Sequence, residues 1–276
     1  MLVFVIAVKH KDISTSWSTV GRLLERTLKS ICNQTSDKFR VVVVCNQKPD
    51  VQFEHPSIHY VLVDIPPPIL IPADQANKSG YAYVHSLDIA RKNADKSCKF
   101  LKGIEYAQQL SPTHLMMMDA DDCVNRRLAE WVAAKPHCEG WVMRKGYMYR
   151  EGSKWIFVNS KRFNHVSGSS VIIRNDLYPA LFKSVYSEND LYLCSFDTLP
   201  DINIQPLPFF GTVYSMMNGE NILMSARTFS QMKGQILTRI PSLIQRVWRY
   251  RIWILTRSIV DDFGLYPILS EESSVS

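Results

Sequence analysis

The sequence predicts an α/β protein, built on a mixed, mostly parallel sheet flanked by helices and followed by a C-terminal helical tail. Three observations predict it. Short runs of β-branched and other apolar residues alternate with stretches of helical spacing through the first half of the chain. Strands separated by helices pair in parallel through right-handed crossovers, the doubly wound plan. The fourth apolar run ends in three aspartates, Asp119, Asp121 and Asp122, at a strand's carboxyl end, where open α/β sheets bind ligands.

Each element has its own signal. LVFVIAV, residues 2–8, reads as a buried strand, WSTVGRLLERTLKSICNQ as a helix, FRVVVVCN as a second strand and IHYVLVD as a third. IPPPILIPAD, residues 65–74, is neither helix nor central strand, because each proline fixes φ and removes an amide donor. A helical region runs from about Gly80 to Leu110, with a break expected near Asp95, and THLMMMD is the fourth strand. VNRRLAEWVAAK reads as a helix starting at Val124, and GWVMRKGYMYREGSKWIFV as a hairpin turning at EGSK. Between Phe163 and Asn221 only short strand-like pieces, SSVIIR and GTVYSMM, stand out.

Length suits one large domain with an appendage: a domain over residues 1–226, with halves of about 1–123 and 124–226, and a basic amphipathic helical tail over 227–276. Six scattered cysteines without a C-x-x-C pair favour free thiols in a reducing compartment. The first apolar run lacks a basic leader and is too short to cross a bilayer, so a buried strand in a cytoplasmic protein is expected. Between Asn221 and Val260 lie seven basic residues and no acidic one, which exceeds the net charge of +6 for the whole chain. Helical spacing of Ile236, Ile240, Leu243, Val247, Tyr250 and Ile254, with Trp248 and Trp253 beside arginines, reads as an interfacial helix over residues 233–257 on an anionic membrane at its inner face, with an ordinary helix docked on the domain as the alternative. No nucleic-acid motif accompanies the charge, and no nucleic-acid partner is expected.

Two carboxylates one residue apart at a strand end can aim their oxygens at one point. Hard divalent cations prefer such ligands and keep positions open for phosphates. The competing reading is that Asp122 caps the next helix while the others are solvated.

On these segments the chain resembles the GT-A-fold glycosyltransferases (Rossmann-like), above all the family-2-like bacterial nucleotide-sugar enzymes. The matching pieces are FVIAV, LLERTLKSICNQT, FRVVVVCN and KGIEYAQQLSPTHLMMMDADD, in the family's order, over residues 2–175. The resemblance implies Mn²⁺ or Mg²⁺ held by Asp121 and Asp119, a UDP- or GDP-linked sugar donor, and a glycan or lipid-linked acceptor. Asp119 would meet the ribose or the metal, Asp121 the metal and diphosphate, and Asp122 would support both. Where relatives carry an acidic residue for the base this chain has Asn46, and where many carry Arg-Asn it has KFLKG, so Lys99 or Lys102 would supply charge to a phosphate. Inversion is the stereochemistry implied, with a downstream carboxylate as base: Asp190 or Glu188, with Asp197 and Asp201 behind them. HVSGSSVIIR looks like the acceptor-side segment, contributing Gly168 and His165. MMNGEN is expected near the donor phosphates, without a third protein ligand, since Asn218 stands where some relatives place a histidine. Two alternatives remain: a sugar-phosphate nucleotidyltransferase, whose glycine-rich loop AVKHKDISTSW lacks, and a catalytically silent membrane-associated protein of the same fold.

Overall fold

The structure is a computed structural model that describes residues 1–70, 81–184, 191–193, 202–221 and 251–268. In chain order the strands are β1 (Leu2–Ala7), β2 (Phe39–Cys45), β3 (Ile58–Leu62), β4 (His114–Asp119), β5 (Cys123–Val124), β6 (Gly140–Val142) and β7 (Gly146–Arg150). After them come β8 (Trp155–Asn159), β9 (Val171–Arg174), β10 (Phe182–Ser184), β11 (Leu191–Leu193), β12 (Gln205–Pro206), β13 (Thr212–Met216) and β14 (Arg251–Ile254). The α-helices are α1 (Trp17–Cys32), α2 (Tyr81–Ala107), α3 (Leu128–Ala133) and α4 (Arg257–Phe263).

The main sheet has the order β12-β6-β9-β4-β1-β2-β3. β1 pairs in parallel with both β2 and β4, β2 with β3 and β12 with β6, while β9 runs antiparallel between β4 and β6. A mixed, mostly parallel sheet is therefore observed, as expected. Its two faces follow the period of two along a strand. Leu2, Phe4 and Ile6 of β1 join Leu24, Leu28 and Ile31 of α1 in one cluster. Val3 and Val5 join Val42, Val44 and the α2 residues Phe100, Ile104 and Ala107 in the other. α1 begins at Ser16, whose Oγ accepts from the Thr19 amide at 3.3 Å, satisfying one of the helix's orphan donors.

α2 approaches the sheet through Gly103. A Cβ there would lie 2.4 Å from Val5 Cγ1 and 2.7 Å from Val44 Cγ2. Gly103→Ala should therefore lose stability by about 1–3 kcal/mol through overpacking, overriding the gain of roughly 1 kcal/mol in helix propensity. A urea midpoint at or above that of the unchanged protein would contradict this close contact.

A second sheet, in the order β14-β8-β7-β13-β5, encloses its own cluster of Tyr147, Tyr149, Ile156, Val158, Val213, Ile259 and Phe263. β7 and β8 form the expected hairpin, but β6 belongs to the main sheet. Three local expectations need correction. α2 does not break at Asp95: the carboxylate pairs with Lys99 one turn on, at 2.9 Å, and the helix continues. The helix expected from Val124 starts only at Leu128, because Cys123 and Val124 pair with Val213 and Thr212 in the second sheet. Arg251–Ile254, expected to continue an amphipathic helix, instead forms β14 against β8. The helical spacing from Ile236 to Tyr250 lies outside the described residues. Among the described residues no helix is long and apolar enough to cross a membrane, and the five cysteines, at 32, 45, 98, 123 and 138, are free thiols.

Candidate functional site

In the main sheet β2 and β3 lie on one side of β1 and β4 on the other, so the order reverses between β1 and β4. Strand carboxyl ends at such a reversal diverge and leave a crevice. A cavity of about 290 Å³ opens there, bounded by Ala7, Val8 and Lys9 after β1 and by Asp119, Ala120 and Asp121 after β4. α2 closes one side with Lys92, Asp95 and Lys96, and the segments at 164–168 and 220–221 close the rest.

The three aspartates have separate environments. Asp119 forms an ion pair with Lys96, and its backbone amide donates to Ser169 Oγ at 2.9 Å. Asp121 Oδ2 accepts from Asn218 Nδ2 at 2.6 Å and from Asn221 Nδ2 at 3.0 Å, which leaves Oδ1 without a hydrogen bond among the described residues. Burial first, and then the neighbouring charge of Asp119, push the Asp121 carboxyl up to about 6. Asp122 is fully buried. It accepts from the Ser215 amide at 2.9 Å and from Ser167 Oγ at 3.2 Å, and burial followed by Asp121 and Asp119 pushes it well above the usual carboxylate range. It neither caps a helix nor meets solvent; it braces the acidic turn from below.

Segment 167–170 explains its small residues by the same geometry. Ser167 and Ser169 hold the acidic turn, and Gly168 lies so close that a Cβ would come within 3.1 Å of Asp119 Oδ2 and 3.2 Å of Lys96 Nζ. Gly168 and His165 both line the cavity. MMNGEN is the wall opposite: its asparagines hold Asp121, and the turn passes through Gly219 at φ +85, where a residue with a Cβ would be strained.

The lysines differ from the sequence expectation. Lys99 is fully buried and paired with Asp95, and Lys102 is exposed and paired with Glu105, so neither lines the cavity. Lys92 and Lys96, one helical turn apart, face it instead, with Lys9 from the end of β1. Lys92 has no hydrogen-bond or ion-pair partner among the described residues; burial, and then the nearby Lys9, lower its pKa. Asn46 also stays out of the cavity, donating to the Ile65 carbonyl at 2.6 Å. Asp190, Glu188, Asp197 and Asp201 lie outside the described residues.

No protein-family model and no curated protein matches the chain. Among solved structures it is similar to S. aureus TarS, residues 1–349 in complex with UDP-GlcNAc, at 13% identity over 80% of this chain and 60% of that one, with a TM-score of 0.47. The same TarS fragment, alone and in complex with UDP, aligns at 12% identity over 78% of this chain and 60% of that one, with TM-scores of 0.42. The chain thus spans about 60% of the length of the first solved structures it matches.

Sequence reasoning missed Glu220. It is buried, lines the cavity, and accepts from Lys9 Nζ at 2.7 Å, Ser16 N at 2.6 Å and Thr15 N at 3.2 Å. One carboxylate thereby fastens the loop after β1 to the wall that holds Asp121. A single glutamate after a glycine carries no periodic or motif signal. Lys92 and Lys96 were discoverable as an i, i+4 pair, but the sequence does not say which face of α2 meets the sheet end.

The donor set can be tested for a divalent cation. Among the described residues no group of three His, Cys, Asp or Glu side chains is arranged to hold a metal. Asp121 offers one oxygen free of hydrogen bonds, and Asp119 offers a carboxylate now shared with Lys96. Such a set fits Mg²⁺ or Mn²⁺ that arrives with phosphate and water ligands; it does not fit a resident ion in an all-protein cage.

Proposed function

We propose that the chain is a glycosyltransferase that moves a sugar from a nucleotide diphosphate donor, UDP- or GDP-linked, to a glycan or lipid-linked acceptor. The observation that carries this reading is the meeting, in one cavity at the β1/β4 reversal, of the carboxylates of Asp119 and Asp121 with the ammonium groups of Lys9, Lys92 and Lys96. A lone carboxylate cluster would repel a diphosphate, and a lone lysine cluster would need no acid. Together they suit a diphosphate carrying a divalent cation. The resemblance of the sequence to the GT-A enzymes supplies the sugar.

In this reading Asp121 and Asp119 hold Mn²⁺ or Mg²⁺, which when bound neutralises charge growing on the departing diphosphate. Lys92 and Lys9 contact phosphate oxygens, and Lys96 turns from Asp119 to the same group. Asn218 and Asn221 keep Asp121 aimed into the cavity. The acceptor hydroxyl attacks the anomeric carbon, its proton passes to Asp190 or Glu188, the bond from that carbon to the diphosphate oxygen breaks, and the nucleoside diphosphate leaves. Inversion follows from the resemblance. Asn46 would reach the base only by leaving Ile65.

The test is calorimetric titration of the protein with UDP and with GDP, with and without Mn²⁺. One nucleotide should bind, and only with the metal. Lys92→Ala should weaken it by about tenfold or more, the worth of one charge-assisted contact. A folded protein that binds neither nucleotide in Mn²⁺ would overturn the donor site and leave a silent binding protein of this fold.

A further inference from the structure

The second sheet ends in an edge that the donor cavity does not explain. Among the described residues β14 pairs with β8 alone, in the register Arg251↔Val158, Ile252↔Phe157, Trp253↔Ile156 and Ile254↔Trp155. Directly opposed residues share a face, and side chains two apart lie on the same side. Trp155, Ile254 and Ile252 therefore form one row beside Phe157, while Trp253 turns the other way, toward Tyr147 and Phe210.

That row is open to solvent: Trp155 is 53% exposed, Ile252 56% and Ile254 62%. Three contiguous large apolar side chains, two on the edge strand β14 and Trp155 beside them on β8, are unusual for a surface with no partner. Their charge surroundings select the partner. Arg150 and Lys154 at the hairpin turn beside Trp155 are exposed, and neither has an ion-pair partner among the described residues, whereas Arg251, opposed to Val158, turns to the face of Trp253. The turn's one carboxylate, Glu151, is buried against Arg26 at 2.8 Å and does not offset them. The acidic residues of α4, Asp261 and Asp262, are taken up by Arg257 and Arg126. The stretch leading into β14 from Asn221 has no acidic residue.

An apolar row containing a tryptophan and flanked by unpaired cations matches the layering of an anionic bilayer surface. Apolar groups enter at the depth of the headgroups, and the cations stay at the level of the lipid phosphates. We propose that the β8–β14 ribbon is a membrane-contact face, with Trp155, Ile252 and Ile254 entering an anionic leaflet while Arg150 and Lys154 lie on lipid phosphates. The proposal rests on the ribbon alone and is independent of the donor cavity. It moves the expected membrane contact from an amphipathic helix to a strand edge.

The experiment is co-sedimentation of the full chain with vesicles of phosphatidylcholine alone and of phosphatidylcholine mixed with phosphatidylglycerol, at low and high salt. Two variants accompany it: Trp155→Ser/Ile252→Ser/Ile254→Ser, which removes the row, and Arg150→Glu/Lys154→Glu, which reverses the charge. The protein should bind the anionic vesicles only, less at high salt, and each variant should weaken binding by about tenfold or more. None of the five side chains is buried, so melting temperatures should stay close to that of the parent. If the triple serine variant fails to fold, the charge-reversal variant decides the matter. Failure of the parent to bind, or undiminished binding by a folded variant, would overturn the proposal. So would a concentration-dependent dimer abolished by the serine variant with no vesicle binding, because the row would then be covered by a second copy.

Discussion

Asp121→Ala should abolish metal-dependent nucleotide binding and lower sugar transfer by about a thousandfold, comparable to removing a principal electrostatic contact at a developing charge. The expectation comes from the position of Asp121, a residue of the cavity wall whose Oδ2 is held by the side-chain amides of Asn218 and Asn221 and whose Oδ1 has no hydrogen bond among the described residues. Among the other described carboxylates Asp122 is buried beneath the turn, Asp95 is paired with Lys99 and Glu220 is occupied by Lys9 and two backbone amides, so Asp119 would be left to act alone. Undiminished nucleotide affinity in Asp121→Ala, with Mn²⁺ present, would contradict this assignment.

The same residue should give the protein a pH-dependent response to metal. In the cation-free state burial and Asp119 raise the Asp121 carboxyl to about 6, above its ordinary value of 3.8. The folded state therefore holds this proton more tightly than the unfolded chain. The stability that comes from holding it is fully present below the unfolded value and is lost as pH rises through about 6. A divalent cation on the ionised carboxylate removes the cost, so Mn²⁺ should raise the melting temperature more at pH 8 than at pH 5, by a few degrees. Asp121→Asn keeps the shape without the charge. It should melt above the parent at pH 8 without metal and gain nothing from Mn²⁺. An equal Mn²⁺ effect at both pH values would exclude Asp121 as the group responsible.

The largest loss of stability is expected at Arg26. This fully buried side chain of α1 donates from Nη1 to Glu151 Oε2 at 2.8 Å and to the Tyr266 carbonyl at 2.9 Å, and from Nη2 to Ser215 Oγ at 2.7 Å. It thus joins the first helix to β13, to the β7–β8 turn and to the chain after α4. Arg26→Met would leave Glu151 buried with the Ile268 amide, at 2.8 Å, as its one hydrogen-bond donor among the described residues. Breaking one side of a buried pair costs about 3–5 kcal/mol, or roughly 10 °C in melting temperature at this size. Arg26→Met/Glu151→Gln should recover much of the loss, because the uncompensated charge is gone. A double variant no more stable than Arg26→Met would indicate that packing, and not the stranded carboxylate, sets the cost.

How much of this was legible in the sequence varied with the kind of signal. β1, β2 and β4 were readable because buried parallel strands are continuous apolar runs, and the aspartates drew notice by following one of them directly. Lysine placement was not readable. Lys99, buried against Asp95, and Lys92, facing the cavity, look alike in a list of helical lysines, and only the rotation of α2 on the sheet separates them. Arg251–Ile254 shows the limit of periodicity: over four residues, spacing near 3.6 and spacing of two cannot be told apart, and the edge of β8 decided the outcome. Glu220 and Asp122 act through contacts about 200 and 90 residues away along the chain, which no local pattern encodes.

β1 lies in the middle of the main sheet, between β2 and β4, and the terminal amine of Met1 reaches Thr113 at a separation of 112 residues. During synthesis β2 can pair with it soon after it emerges, but β4 is not available until some seventy further residues have been made. At the ribosome's pace of about 5–20 residues per second, one edge of β1 stays open for several seconds. The open segment, LVFVIA, is apolar throughout and has neither charge nor proline, the composition that pairs with copies of itself on neighbouring chains. Conditions that shorten the wait for His114–Asp119 should therefore raise the yield of soluble protein by covering this one edge sooner.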